Sequence, residues 1–189
     1  MNCHKKKKVN GVNDSSGVLA RRVVLGSGGR SPPRPPEPSS SKSYSGQKEK
    51  VRVATLNIGS LSGKSREVAE LLRKRNVKIG CLQETRWRGN SAREIGEGYK
   101  LFYAGESSGR NGVGVVVDSD LRDSVVDVRR SSSRLMMLKI VWKGVKVNVI
   151  SAYAPQVGLG KDEKEKFWEE FDELIGSVSG SERLWLGVT

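Results

Sequence analysis

Val51-Arg52-Val53-Ala54-Thr55-Leu56-Asn57 is a short run rich in β-branched residues that ends on a polar Asn and gives way to Gly59, Ser60 and Gly63. A run of this kind suits a buried strand passing into a loop. Residues 64–76 then set Val68, Leu71 and Leu72 at helical spacing among Lys, Arg and Glu, the pattern of a helix with one apolar face. Lys78-Ile79-Gly80-Cys81-Leu82-Gln83 is the next short apolar run. Strand, helix, strand is most simply a parallel pair joined by a crossover.

Working outward toward the C-terminus, further strand-like runs cover residues 99–103, 113–117, 134–142 and 145–150, with Lys143-Gly144 as a tight hairpin turn between the last two. Residues 162–178 predict a second helix with Phe167, Trp168, Phe171, Leu174, Ile175 and Val178 on one face. That aromatic stripe has the spacing of core rather than of a base-stacking platform. Arg183-Leu184-Trp185-Leu186-Gly187 predicts a final strand. The expectation is layered α/β structure around one or two sheets. Asn57, Gln83-Glu84 and Tyr153 each sit at or just beyond the end of a strand-like run, so they are expected to converge on one rim.

Working outward toward the N-terminus, residues 1–50 combine Lys5 to Lys8, a Gly-Ser stretch, five prolines between 32 and 38 and a Ser-rich run. This mixture cannot bury enough apolar surface to offset chain entropy. It predicts a disordered basic tail before a single domain at 51–189. The chain of 189 residues carries a formal charge of +13, and residues 1–50 hold 11 Lys and Arg against 3 Asp and Glu. Such an excess favours an anionic partner. Cys3 and Cys81 lie far apart, which suggests neither a disulfide framework nor a zinc site and fits a reducing, intracellular setting. Lys5 to Lys8 is a candidate nuclear-import or nucleic-acid patch, or a merely solvated run. No apolar run approaches the ~20 residues that span a bilayer, so no membrane partner is expected.

Glu84 is a carboxylate at a strand end, a position from which it can hold Mg²⁺, or it is a surface residue paired with Arg86 or Arg88. Asn57 orients that carboxylate or a phosphate, or forms the turn. Tyr153 aims its hydroxyl at a phosphate oxygen, or packs. Arg86, Trp87, Arg88 and Arg93 set basic groups and an aromatic face beside Glu84, a mixture that follows a nucleic-acid backbone, although a solvated loop reads the same way. His4, in the tail, is the only histidine, so no Ser-His-Asp or Cys-His arrangement can form in the domain. Gly105-Glu106-Ser107-Ser108-Gly109 has nucleophile-elbow spacing but no histidine to serve it. No lysine follows Gly109 to Gly114 as a phosphate-binding loop requires.

Ala54-Thr55-Leu56-Asn57, Cys81-Leu82-Gln83-Glu84-Thr85-Arg86-Trp87, Gly112-Val113-Gly114 and Val149-Ile150-Ser151-Ala152-Tyr153-Ala154-Pro155-Gln156, in this order and spacing, resemble the endonuclease/exonuclease/phosphatase family. The resemblance is closer to endonuclease domains of RTE-type non-LTR retrotransposons and to host proteins of the craniofacial development protein 2-like kind, and it covers about residues 50–187. It implies a four-layer α/β sandwich and phosphodiester cleavage assisted by Mg²⁺ (or Mn²⁺). By the same resemblance Glu84 holds the metal, Asn57 positions the site, Tyr153 supports the phosphate and Gln156 stands where the family often has Asn. The implied partner is nucleic acid, DNA ahead of RNA. The family continues from a strand like 184–187 into an Asp-x-Asn motif and a later Asp-His pair, whereas here Gly187 is followed by Val188 and Thr189. The expectation is therefore an incomplete sandwich with an apolar face uncovered and an endonuclease fragment inactive on its own. The alternatives are a non-catalytic nucleic-acid-binding module, or an active enzyme if the gene product extends past Thr189.

Overall fold

The computed structural model describes residues 12–13, 19–24 and 50–189. The strand-helix-strand reading holds. Strand β3 (Lys50–Asn57), helix α1 (Ser65–Lys74) and strand β4 (Ile79–Gln83) form a crossover unit, and β3 pairs with β4 in parallel, Asn57 opposite Gln83. Beyond β4 the larger sheet continues antiparallel through β7 (Val113–Val117), β6 (Tyr99–Gly105) and β5 (Gly89–Gly96). On the far side of β3 lie β2 (Leu19–Val24) and β1 (Val12–Asn13), which complete a seven-stranded sheet in the order β1-β2-β3-β4-β7-β6-β5. The second sheet has four strands in the order β11-β10-β9-β8: β8 (Val125–Ser132), β9 (Leu135–Trp142), β10 (Val145–Ala152) and β11 (Arg183–Val188). Helix α2 (Lys161–Gly176) connects β10 to β11, and the two strands pair in parallel.

Every residue of β4 and β7 is buried, as expected for strands covered on both faces. Between the sheets, Cys81, Phe102, Val113 and Val115 pack against Met136, Leu138 and Val149. Helix α1 covers the outer face of the larger sheet, with Val68, Ala69 and Leu72 on Leu56, Leu82, Leu101 and Val116. Helix α2 covers the outer face of the smaller one through Phe167 and Leu174 on Leu135, Met137, Ile150 and Ala152. The layers are helix, sheet, sheet, helix. Strand β11 is an edge, and its Leu184, Leu186 and Val188 are 37%, 44% and 42% exposed, a row of side chains left open on the face that α2 covers further along. Among the described residues no helix is long and apolar enough to cross a membrane.

Two expectations are corrected, at residues 89–96 and at Trp168. Within residues 1–50, Leu19–Val24 pairs antiparallel with β3. The rest of residues 1–49, including Cys3, His4 and Lys5 to Lys8, lies outside the described residues. Residues 89–96, read with Arg93 as a loop, form β5, whose first six residues are all exposed. An edge strand solvated in this way shows no apolar alternation for a sequence pattern to reveal. Trp168 does not join the α2 stripe. It is 52% exposed, because one residue on from Phe167 turns the side chain ~100° around the helix.

Candidate active site

Parallel pairing carries the C-terminal ends of β3 and β4 to one rim, which places Asn57 and Glu84 side by side. Tyr153 follows the last residue of β10 and reaches the same rim from the other sheet. The Glu84 carboxylate is the meeting point. Its Oε1 accepts from Asn57 Nδ2 at 2.7 Å and from the Tyr153 hydroxyl at 2.9 Å. Its Oε2 faces Arg86 Nη2 at 3.4 Å. Gln156 Nε2 donates to Tyr153 Oη at 3.2 Å, and Asn57 Oδ1 accepts from the Gly59 amide at 3.0 Å, which aims the Asn57 NH₂ group at Glu84.

The backbone around Glu84 is strained and locked. Glu84 and Arg86 have φ of +56° and +54°, flanking the fully buried Thr85. Non-glycine residues adopt this region only where the surroundings impose it. Here Thr85 N donates to Gly112 O and Arg86 N to Asn111 O, both at 2.9 Å, while Leu61 N donates to Thr85 O at 3.0 Å. Gly112 is required at its position: its φ is +94°, and a Cβ there would stand 2.4 Å from Thr85 Oγ1. Beneath the site, buried Gln83 ties the two sheets together. Its Nε2 lies 3.3 Å from both Ser151 Oγ and Gly187 O, and its Oε1 accepts from Thr55 Oγ1 at 3.2 Å.

The Asn57 amide holds the Glu84 carboxyl below the usual carboxylate range, helped by the Tyr153 hydroxyl and Arg86 and opposed by partial desolvation. Burial pushes the Tyr153 phenol up, and the neighbouring Glu84 charge adds to the effect. Glu84 is thus an anion and Tyr153 a neutral hydroxyl donor at neutral pH. Burial pushes the Cys81 thiol up to about 12, so it stays protonated and inert in the core.

Glu106 braces the loop that receives Arg86. It accepts from Ser133 Oγ, from Asn111 Nδ2 at 2.9 Å and from Ser108 Oγ at 2.8 Å. These bonds, Ser133 first, lower its pKa. A lowered folded value means the stabilisation is complete above the ordinary value of about 4.5 and is lost as the pH falls through the folded value. Glu106→Gln is therefore expected to cost about 1–2 kcal/mol at neutral pH, with the gap to wild type narrowing as the pH falls below the ordinary carboxylate range. Thermal denaturation at neutral and at acid pH checks this, and an equal gap at both would contradict it.

The structure brings Asn57, Glu84, Arg86, Tyr153 and Gln156 into one hydrogen-bonded chain. Trp87 and Arg88 stand apart from it, in an adjoining cleft that Arg86 also lines. Two contributors escaped the sequence reading. Gln83 was noted only as part of the rim, although a Gln closing a wholly apolar run signals an internal hydrogen-bond role. Arg134 lies 4.9 Å from the Tyr153 ring centre, its carbonyl accepts from Tyr153 N at 2.8 Å, and its Nη1 is 3.4 Å from Tyr153 O. The Lys143-Gly144 turn pairs Trp142 with Val145 and Leu135 with Ala152, so counting back along the hairpin sets Arg134 against Tyr153.

Among the described residues no three His, Cys, Asp or Glu side chains converge. The donor set for a cation is one carboxylate with one amide beside it. This fits Mg²⁺, which keeps several waters and is often held through one or two carboxylates together with substrate phosphate. Glu84 Oε2, whose only hydrogen-bond partner among the described residues is the distant Arg86, is the oxygen that would take it.

The whole is a helix-sheet-sheet-helix sandwich with a carboxylate, an amide and a phenol joined at one rim. The chain belongs to the Endonuclease/Exonuclease/phosphatase family, whose pattern it matches over residues 54–175. Craniofacial development protein 2 of Bos taurus is 26% identical over 130 residues, covering 68% of this chain and 22% of that protein. The chain thus spans under a quarter of that relative. Two solved structures share the fold: the AP endonuclease LMAP from Leishmania major (TM-score 0.55, 13% identity, 73% of this chain and 54% of that one) and the endonuclease domain of TRAS1, a telomere-specific non-LTR retrotransposon (TM-score 0.51, 18% identity, 73% and 57%).

Proposed function

We propose that the chain carries a phosphodiester-binding site assisted by Mg²⁺ or Mn²⁺ that acts on nucleic acid, DNA ahead of RNA, and descends from a retrotransposon endonuclease. The observation that carries this reading is the single Glu84 carboxylate held by both Asn57 and Tyr153, one from each sheet. Asn57 fixes the carboxylate's orientation. Tyr153, kept as a neutral phenol and backed by Gln156 and Arg134, gives its single O–H to Glu84 and would turn it to a phosphoryl oxygen once a cation occupies the carboxylate, and Arg86 adds positive charge beside it. Such donors lower the barrier where negative charge grows during cleavage. A bound cation would supply Lewis-acid polarisation of the phosphoryl oxygen.

Cleavage by the chain alone is expected to be weak. The side chains bonded to Glu84, those of Asn57, Tyr153 and Arg86, include no base to activate water, and a positioned general base is worth ~10²–10⁴ in rate. The test is nicking of supercoiled plasmid and of an abasic-site duplex with Mg²⁺ or Mn²⁺ and with chelator. Slow nicking that needs the metal supports the reading. Metal-independent nicking, or faster hydrolysis of p-nitrophenyl phosphate than of DNA, would overturn it. A second reading, binding without cleavage, is favoured by Arg88 and Arg93 of the adjoining cleft, which have no acidic partner among the described residues, and would be left standing by salt-dependent DNA binding without nicking.

A further inference from the structure

Beside Glu84 lies a cleft of about 340 Å³ lined by Ser62, Arg86, Trp87, Arg88, Arg93 and Tyr103. Three of these side chains are guanidinium groups and none is a carboxylate. Arg86 is tied to Glu84, whereas among the described residues Arg88 and Arg93 have no acidic partner. All three arginines are exposed. Gathering like charges in one cleft without a counter-ion is unfavourable, and an anion seated there relieves it.

The aromatic residues in the cleft serve the arginines. Arg93 lies over the Trp87 ring at 5.1 Å, and Tyr103 meets the same ring edge-on, also at 5.1 Å. Trp87 is half-buried and Tyr103 buried. With Arg93 on its ring, Trp87 is a support that orients a guanidinium rather than an open face for a base. Gly105 is needed where the main chain passes Trp87, since a Cβ there would stand 1.8 Å from Trp87 O. The ring contact holds Arg93 in place, and the cleft shares Arg86 with the Glu84 site.

We propose that this cleft is a second phosphate subsite, in which Arg88, Arg93 and Ser62 hold a backbone phosphate of a polynucleotide whose neighbouring phosphodiester lies at Glu84. It would make a polynucleotide, rather than a small phosphoester, the substrate. The proposal rests on the function argued above for Glu84, but its binding step is separable from cleavage. Backbone contacts of this kind position a strand without reading its sequence.

The test uses the full chain, chelator and a short fluorescein-labelled oligothymidylate, with anisotropy followed against salt. Arg88→Gln/Arg93→Gln is expected to weaken binding at least about tenfold and to reduce the salt slope by about 0.7, the value of one phosphate contact in single strands. Arg93→Lys keeps the charge and is expected to keep most of that slope, which guards against a loss caused only by disturbed packing on Trp87. Wild-type affinity and slope in the double variant would overturn the proposal, since binding would then run through the basic residues of 1–50. So would displacement of the strand by inorganic phosphate at matched ionic strength, the signature of a site for small phosphates. Slope loss without any metal-dependent nicking would sink the cleavage reading while the subsite stands. Nicking with an unchanged slope in the double variant would sink the subsite alone.

Discussion

Glu84→Gln is expected to reduce metal-dependent nicking by about 10²- to 10³-fold and to weaken Mn²⁺ binding at least about tenfold. The substitution keeps the shape and an oxygen that can still accept from Asn57 and Tyr153, the 2.7 and 2.9 Å contacts of the wild-type carboxylate. It removes the negative charge, which a hard dication requires and which Arg86 also faces. The rest of the rim should stay in place, since Glu84 is held by main-chain bonds of Thr85 and Arg86 rather than by its charge. Because Asn57, then Tyr153 and Arg86, hold the wild-type carboxyl low, it remains ionised until the pH falls well below the ordinary value of about 4.5. Metal binding lost only on stronger acidification would agree with that sign. Titration of Mn²⁺ by electron paramagnetic resonance reads the effect even if nicking is too slow to follow. Equal Mn²⁺ affinity in the two proteins would remove Glu84 from the metal site.

How much of this rim could be read in advance follows from where each residue sits. Asn57 and Glu84 close two adjacent apolar runs joined by a helix-spaced segment, and a right-handed crossover brings such ends together. Their contact was implicit in the pattern. Tyr153 closes a run of the other sheet, so its place on the rim was legible but its approach to Glu84 was not. That approach depends on how the sheets stack, which local periodicity does not encode. The φ of +56° at Glu84 left no trace either, since Glu has no preference for that region and the cause is a distant glycine, Gly112. Strand β5 was missed for the opposite reason: Asn90, Ser91, Arg93 and Glu94 are exposed, and among the described residues it pairs with β6 alone. The cleft inherits this blindness, because Arg93 on β5 meets Trp87 only once the sheet forms.

Gly187→Ala is expected to destabilise the domain by about 2–6 kcal/mol, through one clash and one lost hydrogen bond. A Cβ at Gly187 would lie 2.5 Å from Cys81 Cβ, 2.8 Å from its Sγ and 3.1 Å from Thr55 Oγ1. Cys81 Cβ cannot rotate away, because it is fixed to the main chain of β4 at the centre of the larger sheet. Strand β11 must move instead, and inserting a methylene into a packed core of this kind costs ~1–3 kcal/mol. Moving it also draws the Gly187 carbonyl from the buried Gln83 amide, now 3.3 Å away, and a stripped buried donor adds ~1–3 kcal/mol. The same displacement reaches the rim. Thr189 O accepts from Ala154 N at 3.0 Å, so a shifted β11 loosens the residue that follows Tyr153. Urea unfolding should show the loss of stability, and Mn²⁺ affinity should fall with it although Gly187 touches no donor. Removing the Cys81 side chain in the same molecule tests the cause. Cys81→Gly should be costly alone, yet the double variant should be less unstable than the two losses added, since the clash no longer exists. Strict additivity would mean that β11 tolerates the methyl group for some other reason, and that the two sheets are not held apart at Gly187.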